Sequence, residues 1–369
     1  MHIITSLKIG GAESLLVDFL AHPSSAQATH KVIFFHDGPN RQRLIDQGIL
    51  CYQVTGVVSL YDPVFFVRLY ALVKLLNPDC IHTWLWSANI AGRLIGIMLR
   101  VPVLNSFHLG VDQDGFIRNV IDRCTQRLPD SLIAVSDGVA HSLITKFKVY
   151  KPERLKVIKN GVDAQEIATK SQKTLVQREA LGLTADHFII GSVGRWIERK
   201  NYPFLIEVFA QLHKRHDTAR LVLLGKGPDK QALYEHAQRL GMQDYVIFIE
   251  GQPALGYYPL FDCFIQTSFK EGISIALLEA MSCSLPCILT EPSGVHEVIR
   301  HASNGLIIPA YKHELVCEEV ERLINDKSLA VALGYAAQQT MIQEFGLTPM
   351  VDAYHYEYSQ LIKIKSKQC

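Results

Sequence analysis

The sequence predicts an α/β protein built from two doubly wound parallel sheets, and three observations carry that prediction. Short β-rich runs alternate with helical patterns from residue 1 to about 150, the same alternation restarts near His187, and 369 residues exceed what one ordinary core encloses. A turn-rich interval at Lys151-Pro152-Glu153 and a polar stretch from Lys170 to Gln177 separate the two series, which places the boundary at about residue 165. The expected organisation is an N-terminal domain (1–165), a C-terminal domain (166–348) and a terminal helix (349–369) packing back on the first, with the two sheets facing a central cleft.

In chain order, the first series has strands at Ile3-Ile4-Thr5, Lys31 to Phe35, Cys80 to His82, Val103 to Phe107 and Ser131 to Val135. The second has Phe188 to Val193, Arg220 to Leu224, Tyr245 to Ile249, Cys263 to Gln266, Cys287 to Thr290 and Leu306 to Ile308. After Pro309 the pattern is helical almost to the end, and Pro349 to Lys367 carries Tyr354, Tyr358 and Leu361 at helical spacing.

Composition excludes several classes. The formal charge is +1, with 17 Lys and Arg against 13 Asp and Glu up to residue 165 and 20 against 23 beyond it, too small an excess for a nucleic-acid partner. No apolar run reaches the roughly 20 residues of a spanning helix, and Met1-His2-Ile3-Ile4 opens with neither a basic region nor a cleavable segment, so a cytoplasmic protein is expected. The 8 cysteines are scattered, and Cys283 and Cys287 have no partners at zinc spacing.

Doubly wound sheets bind ligands at the carboxyl ends of their strands. Gly10-Gly11-Ala12-Glu13 follows the first strand and opens a helix, where exposed amides favour an anion. Gly191-Ser192-Val193-Gly194-Arg195, followed by Lys200-Asn201, sets two cations beyond a strand end, suited to a diphosphate. Glu271 and Glu279 lie eight residues apart. Gly272 puts Glu271 in a loop and leaves Glu279 one to two turns inside an apolar helix, where a buried carboxylate needs a partner such as a ribose diol. Asp112-Gln113-Asp114 has the form of a metal-binding Asp-x-Asp motif but lies away from those cations and is read as a solvated loop or helix cap.

With Ile81-His82-Thr83, Asn105-Ser106-Phe107-His108, Ala134-Val135-Ser136, Asn160-Gly161-Val162-Asp163, Gly225-Lys226-Gly227 and Asn304-Gly305, these segments, in this order, resemble glycosyltransferase family 4, of the GT-B fold, over nearly the whole chain. The resemblance implies a retaining transfer of a sugar from a nucleotide-diphosphate donor such as a UDP-sugar, without cofactor or metal. It implies that Arg195 and Lys200 bind the diphosphate with Gly11 and the amides of Ile275 and Ala276. It also implies that Glu279 binds the ribose, and that His108 and Glu271 contact the transferred sugar or acceptor as the catalytic pair. Ser14, Ile273-Ser274 and Ser293-Gly294 depart from the family pattern and bear on which sugar is used.

A saccharide or lipid-linked saccharide acceptor and a role in bacterial-type surface polysaccharide or glycoconjugate synthesis follow as expectations. Val64 to Leu76 and Lys146 to Lys151 mix apolar and basic residues, suggesting peripheral contact with an anionic membrane, against the simpler reading of a buried helix and a solvated helix end. An epimerase or phosphorylase on the same fold and a catalytically silent partner subunit are the alternatives. A dinucleotide oxidoreductase fits less well, because neither glycine-rich turn completes the three-glycine fingerprint.

Overall fold

The structure, a computed structural model, describes residues 1–55, 62–108, 116–147, 155–269, 271–291, 295–309 and 311–366. It divides into two units, the first running from Met1 to Gly161 and taking up the chain again from Leu347, the second spanning Val162–Gly346. The division falls a few residues before the turn-based boundary at 165, because Asp163 already caps the next helix by accepting from the Glu166 amide.

The first unit holds strands β1 (His2–Ser6), β2 (Lys31–His36), β3 (Leu50–Gln53), β4 (Ile81–Trp84), β5 (Val103–Phe107), β6 (Ser131–Ala134) and β7 (Leu155–Val157). All pairings are parallel, in the order β3-β2-β1-β4-β5-β6-β7. Helices α1 (Gly11–Ala21), α2 (Asn40–Asp46), α3 (Pro63–Leu76), α4 (Trp86–Leu99), α5 (Phe116–Thr125) and α6 (Asp137–Phe147) make the crossovers. The strand order reverses between β1 and β4, so the topological switch point lies there.

The second unit repeats the scheme. After α7 (Ala164–Lys173) come β8 (Phe188–Val193), α8 (Tyr202–His213), β9 (Ala219–Gly225), α9 (Lys230–Arg239), β10 (Val246–Glu250), β11 (Cys263–Gln266), α10 (Ile275–Ser282), β12 (Cys287–Thr290), β13 (Leu306–Ile308), α11 (His313–Asn325) and α12 (Lys327–Glu344). The order β10-β9-β8-β11-β12-β13 puts its switch point between β8 and β11. Central strands such as β4 and β12 are buried along their whole length, as a sheet covered on both faces requires.

The last helix, α13 (Leu347–Ser366), belongs to the first unit. Glu357 on it is buried and receives Lys156 Nζ from β7 at 2.6 and 2.8 Å, while Tyr358 Oη meets His82 Nδ1 at 2.6 Å and Tyr354 Oη meets Ser106 Oγ at 3.2 Å. Lys156 is exposed, so solvent screens the pair; what it supplies is a partner for the buried Glu357 carboxylate, which would otherwise lie uncompensated between this helix and the sheet.

Candidate active site

In the second unit the site grows from the end of β8. The turn Glu198–Lys200 is closed by Asn201 at φ 51°, a left-handed conformation that asparagine tolerates. Thr267, just past β11, donates to the carbonyls of Lys200 and Asn201 at 3.2 and 3.1 Å, and the Phe269 amide donates to the Arg199 carbonyl at 2.8 Å. These bonds bring the loop that carries Glu271 onto the turn that carries Lys200. Lys200 Nζ lies 2.6 Å from Glu271 Oε1, with both side chains only about one-tenth exposed. Burial opposes ionisation of Glu271. The charges of Lys200 and Arg199, with hydrogen bonds from Lys200 and Ser268, outweigh it and hold the carboxyl below the usual carboxylate range.

Arg195 is exposed and makes no ion pair among the described residues. Arg199 is a third cation at this turn: burial lowers its pKa, Glu271 opposes that shift and Arg195 adds to it. Lys200 and Arg199 therefore act on the Glu271 carboxylate, with Arg195 near Arg199, and these three cations against Glu198 and Glu271 leave net positive charge for an anionic ligand. Sequence reasoning assigned Arg195 and Lys200 but gave Arg199 no role, although it directly precedes Lys200.

Glu279 sits in the second turn of α10, where Tyr258 Oη donates to its Oε2 at 2.7 Å; the same hydroxyl lies 3.2 Å from the Ala276 carbonyl. Tyr258 is fully buried and lies in the turn Leu255–Leu260, which gives no chemical signal in sequence. Ile275 and Ala276 open α10 behind Ser274, whose side chain makes no capping bond, so their amides are among those a helix start leaves without intrahelical partners.

Several motif segments prove to be scaffolding. A Cβ on Gly225 would come within 1.9 Å of the Gly194 carbonyl oxygen and one on Gly227 within 2.0 Å of the Trp196 carbonyl oxygen, so Gly225-Lys226-Gly227 permits a close backbone crossing beside β8. Asn304 binds the Val298 carbonyl and Thr340, each at 3.0 Å. Ser136 caps α6 through the Val139 amide at 3.0 Å.

In the first unit Gly11 is the exposed first residue of α1. Gly10 precedes it, where a Cβ would lie 2.4 Å from Glu13 Oε2. Glu13 accepts from Ser6 at 2.8 Å. His108 directly follows β5, its ring stacked on Trp84 with centroids 5.2 Å apart and an interplanar angle of 21°. Its Nε2 is buried with no hydrogen-bond partner among the described residues, and burial pushes its pKa down to about 4. Of the predicted residues, the structure thus brings Lys200 and Glu271 into direct contact, puts Ile275, Ala276 and Glu279 on one short helix, and carries Gly11 and His108 on the other unit.

Among the described residues no group of three or more His, Cys, Asp or Glu side chains is arranged to hold a metal ion, and no helix is long and apolar enough to cross a membrane. Asp112-Gln113-Asp114 lies outside the described residues.

Two parallel Rossmann-like sheets, with charge gathered at strand ends in the second, define a GT-B glycosyltransferase, and sequence comparison agrees. Residues 9–166 match the family model described as Glycosyltransferase Family 4, and residues 174–340 match that of Glycosyl transferases group 1. The chain belongs to glycosyltransferase family 4. It is 25% identical to the N-acetyl-alpha-D-glucosaminyl L-malate synthase of Bacillus anthracis over 92% of this chain and 91% of that protein. It is 21% identical to the capsular polysaccharide biosynthesis glycosyltransferase CapM of Staphylococcus aureus, over 82% and 83%. The crystal structure of Anabaena HepE in complex with UDP-glucose superposes with a TM-score of 0.85 at 22% identity, covering 98% of this chain and all of that one, a likeness of fold.

Proposed function

We propose that this glycosyltransferase moves a hexose from a UDP-sugar to a saccharide or lipid-linked saccharide acceptor with retention of anomeric configuration and without a metal ion. The observation that carries the reading is the positive turn Arg195–Lys200 around Glu271, with the amino end of α10 and Glu279 on the same unit. Cations and unpartnered helix amides suit a diphosphate, and a tyrosine-held carboxylate suits a ribose diol. The UDP-glucose complex of HepE supports a UDP-sugar, and CapM supports a role in surface polysaccharide synthesis.

In this reading the bond from the sugar's anomeric carbon to the diphosphate oxygen breaks while an acceptor oxygen bonds to the same face. The acceptor proton passes to the departing diphosphate. Arg195 and Lys200 stabilise the charge that grows on the leaving group, and the positive field they supply takes the place of a cation. Glu271, released in part from Lys200 as phosphate arrives, orients the sugar, and His108 hydrogen-bonds a hydroxyl of the sugar or acceptor.

Membrane contact would come through the outer face of α3. Val64, Val67 and Leu75 are exposed there beside Arg68 and Lys74, while Phe65, Leu69 and Val73 enter the core, and most of the Lys146 to Lys151 segment lies outside the described residues. In this reading the enzyme works at the cytoplasmic face of a membrane, near a lipid-linked acceptor, and the mixed apolar and basic face of α3 supports it.

The test is calorimetry with UDP, GDP and ADP in chelator, followed by a panel of UDP-sugars and proton NMR of the released or transferred sugar. UDP binding and retained α-configuration are expected. No nucleoside-diphosphate affinity, an inverted product, or activity that vanishes with chelator and returns with manganese would overturn it.

A further inference from the structure

Trp84 ends β4, and the next residue, Leu85, has φ 73° and ψ 158°, a backbone region populated almost only by glycine. Such strain persists only where the surroundings fix both flanks. Here they do. The Trp84 indole N–H donates to His2 Nδ1 at 3.2 Å, while that of Trp86 donates to Asp122 Oδ2 at 2.6 Å. Leu85 absorbs the turn between two tryptophans held by different partners.

The hold on Trp84 extends further. Because His2 Nδ1 accepts from the indole, its proton resides on Nε2, which faces His30 Nδ1 at 2.9 Å; His30 Nε2 in turn faces the Ser25 carbonyl at 3.0 Å. One arrangement of protons satisfies every link, from an obligate donor at Trp84 to an obligate acceptor at Ser25. The opposite contact is with histidines as well: His82 lies 4.4 Å from the indole by ring centroids and is itself held by Ser106 and Tyr358, each at 2.6 Å.

His108 stacks on this immobilised indole, and its buried Nε2 finds no partner among the described residues. An unsatisfied buried polar atom is destabilising, and a substrate hydroxyl would relieve it. We propose that Trp84 is a positioning residue for His108, holding the imidazole so that Nε2 meets a hydroxyl of the transferred sugar or acceptor. This rests on the reading of His108 given above.

The test is a double-mutant cycle on the full chain with the UDP-sugar that the wild-type protein hydrolyses fastest in the panel above. Trp84→Leu removes the stack, Trp84→Phe keeps a ring but loses the N–H, and His108→Ala removes the group acted upon. Misplacing a reacting group by about 1 Å costs up to about a hundredfold, so Trp84→Leu is expected to lower kcat about tenfold or more, with UDP affinity unchanged. Trp84→Phe should recover most of that loss. In the His108→Ala background neither substitution should change kcat by more than about twofold, a non-additivity that a merely structural tryptophan would not show. Multiplying losses, or wild-type kcat in a folded Trp84→Leu or, should that variant not fold, in Trp84→Phe, would overturn the proposal. Wild-type kcat in His108→Ala would instead overturn the assignment of His108, and the proposal with it.

Discussion

The two units carry the same sheet architecture but prepare their strand ends in opposite electrostatic states. In the second, Lys200 and Glu271 are both charged and paired at 2.6 Å, with Arg195 and Arg199 nearby. In the first, His2 and His82 are buried and His30 and His108 half-buried, all with pKa values driven below their usual range, chiefly by desolvation, so these imidazoles are neutral, and the buried charges Arg93 and Asp122 cancel as a pair at 2.7 Å. Under the proposed function, the cations of the second unit suit an anion and the neutral imidazoles of the first suit a hydroxyl.

The largest effect that would sharpen this contrast comes from the charged side. Lys200→Ala removes the nearest counter-charge of a buried carboxylate, at a cost of about 3 to 5 kcal/mol in stability, and weakens donor binding and turnover at least about thirtyfold. Adding Glu271→Gln should restore the melting temperature but not turnover, whereas Arg195→Ala, at an exposed position, should lower donor affinity without destabilising the fold. Calorimetric melts and single-turnover rates on the three variants check this; an unchanged melting temperature in Lys200→Ala would mean that the pair does not hold the loop.

The second effect separates the units by pH. His30 and His108 have pKa values of about 4 in the folded chain against 6.5 unfolded, so between those values the unfolded chain binds more protons and stability falls as pH falls. Each contributes at most about 3 kcal/mol, fully present above pH 6.5 and lost on descending to about 4. His2 and His82 act in the same direction. Glu271 has the opposite ionisation: its depressed pKa contributes stability that disappears only below the ordinary glutamate value of 4.5. In the second unit His187 and His213, half-buried like His30 and His108, also shift downward, but by less. Hydrogen exchange at pH 5 and pH 7.5 should therefore show the first unit loosening while the second keeps its protection; equal loss in both would remove the distinction.

The two units also differed in how much their sequence disclosed. The eleven strand runs read from alternation coincide with strands of the two sheets, because most are apolar enough to be buried on both faces. β3 and β7 were missed because Leu50–Gln53 and Leu155–Val157 are short strands at the two edges of the first sheet, with no fully buried residue. In the second unit the chemistry is spelled by charged residues at strand ends, so Arg195, Lys200, Glu271 and Glu279 stand out locally. That Lys200 and Glu271 pair is a tertiary fact, set by Thr267 and Phe269 bonding to the turn. In the first unit His2, His30 and Trp84 look like ordinary core residues, and only the fold reveals that they form one hydrogen-bonded chain.

A smaller effect concerns Tyr258. Its hydroxyl fixes one oxygen of Glu279, so Tyr258→Phe should weaken UDP about tenfold, the worth of a hydrogen bond to a charged group at the low end. It should weaken 2′-deoxy-UDP less, since the deoxy ligand offers one donor fewer to that carboxylate. Equal losses for both ligands, measured by calorimetry, would show that the tyrosine supports the helix and not the ribose contact.

The smallest expected effect lies on the outer face of α3, away from either strand-end site. Each cation near an anionic surface contributes about 1 kcal/mol, so Arg68→Gln with Lys74→Gln should reduce partitioning onto phosphatidylglycerol-containing vesicles by about tenfold to thirtyfold at low salt. Val67→Ser, which removes an exposed apolar side chain from the same face, should reduce it several-fold at any salt, because apolar insertion is not screened while the cationic contribution is. Salt thus separates the two terms. Neither change touches the core positions Phe65, Leu69 and Val73, so donor binding and melting temperature should stay at wild-type values. Co-sedimentation in which both variants partition like the wild type would remove α3 from membrane contact, and with it the structural support for a lipid-linked acceptor.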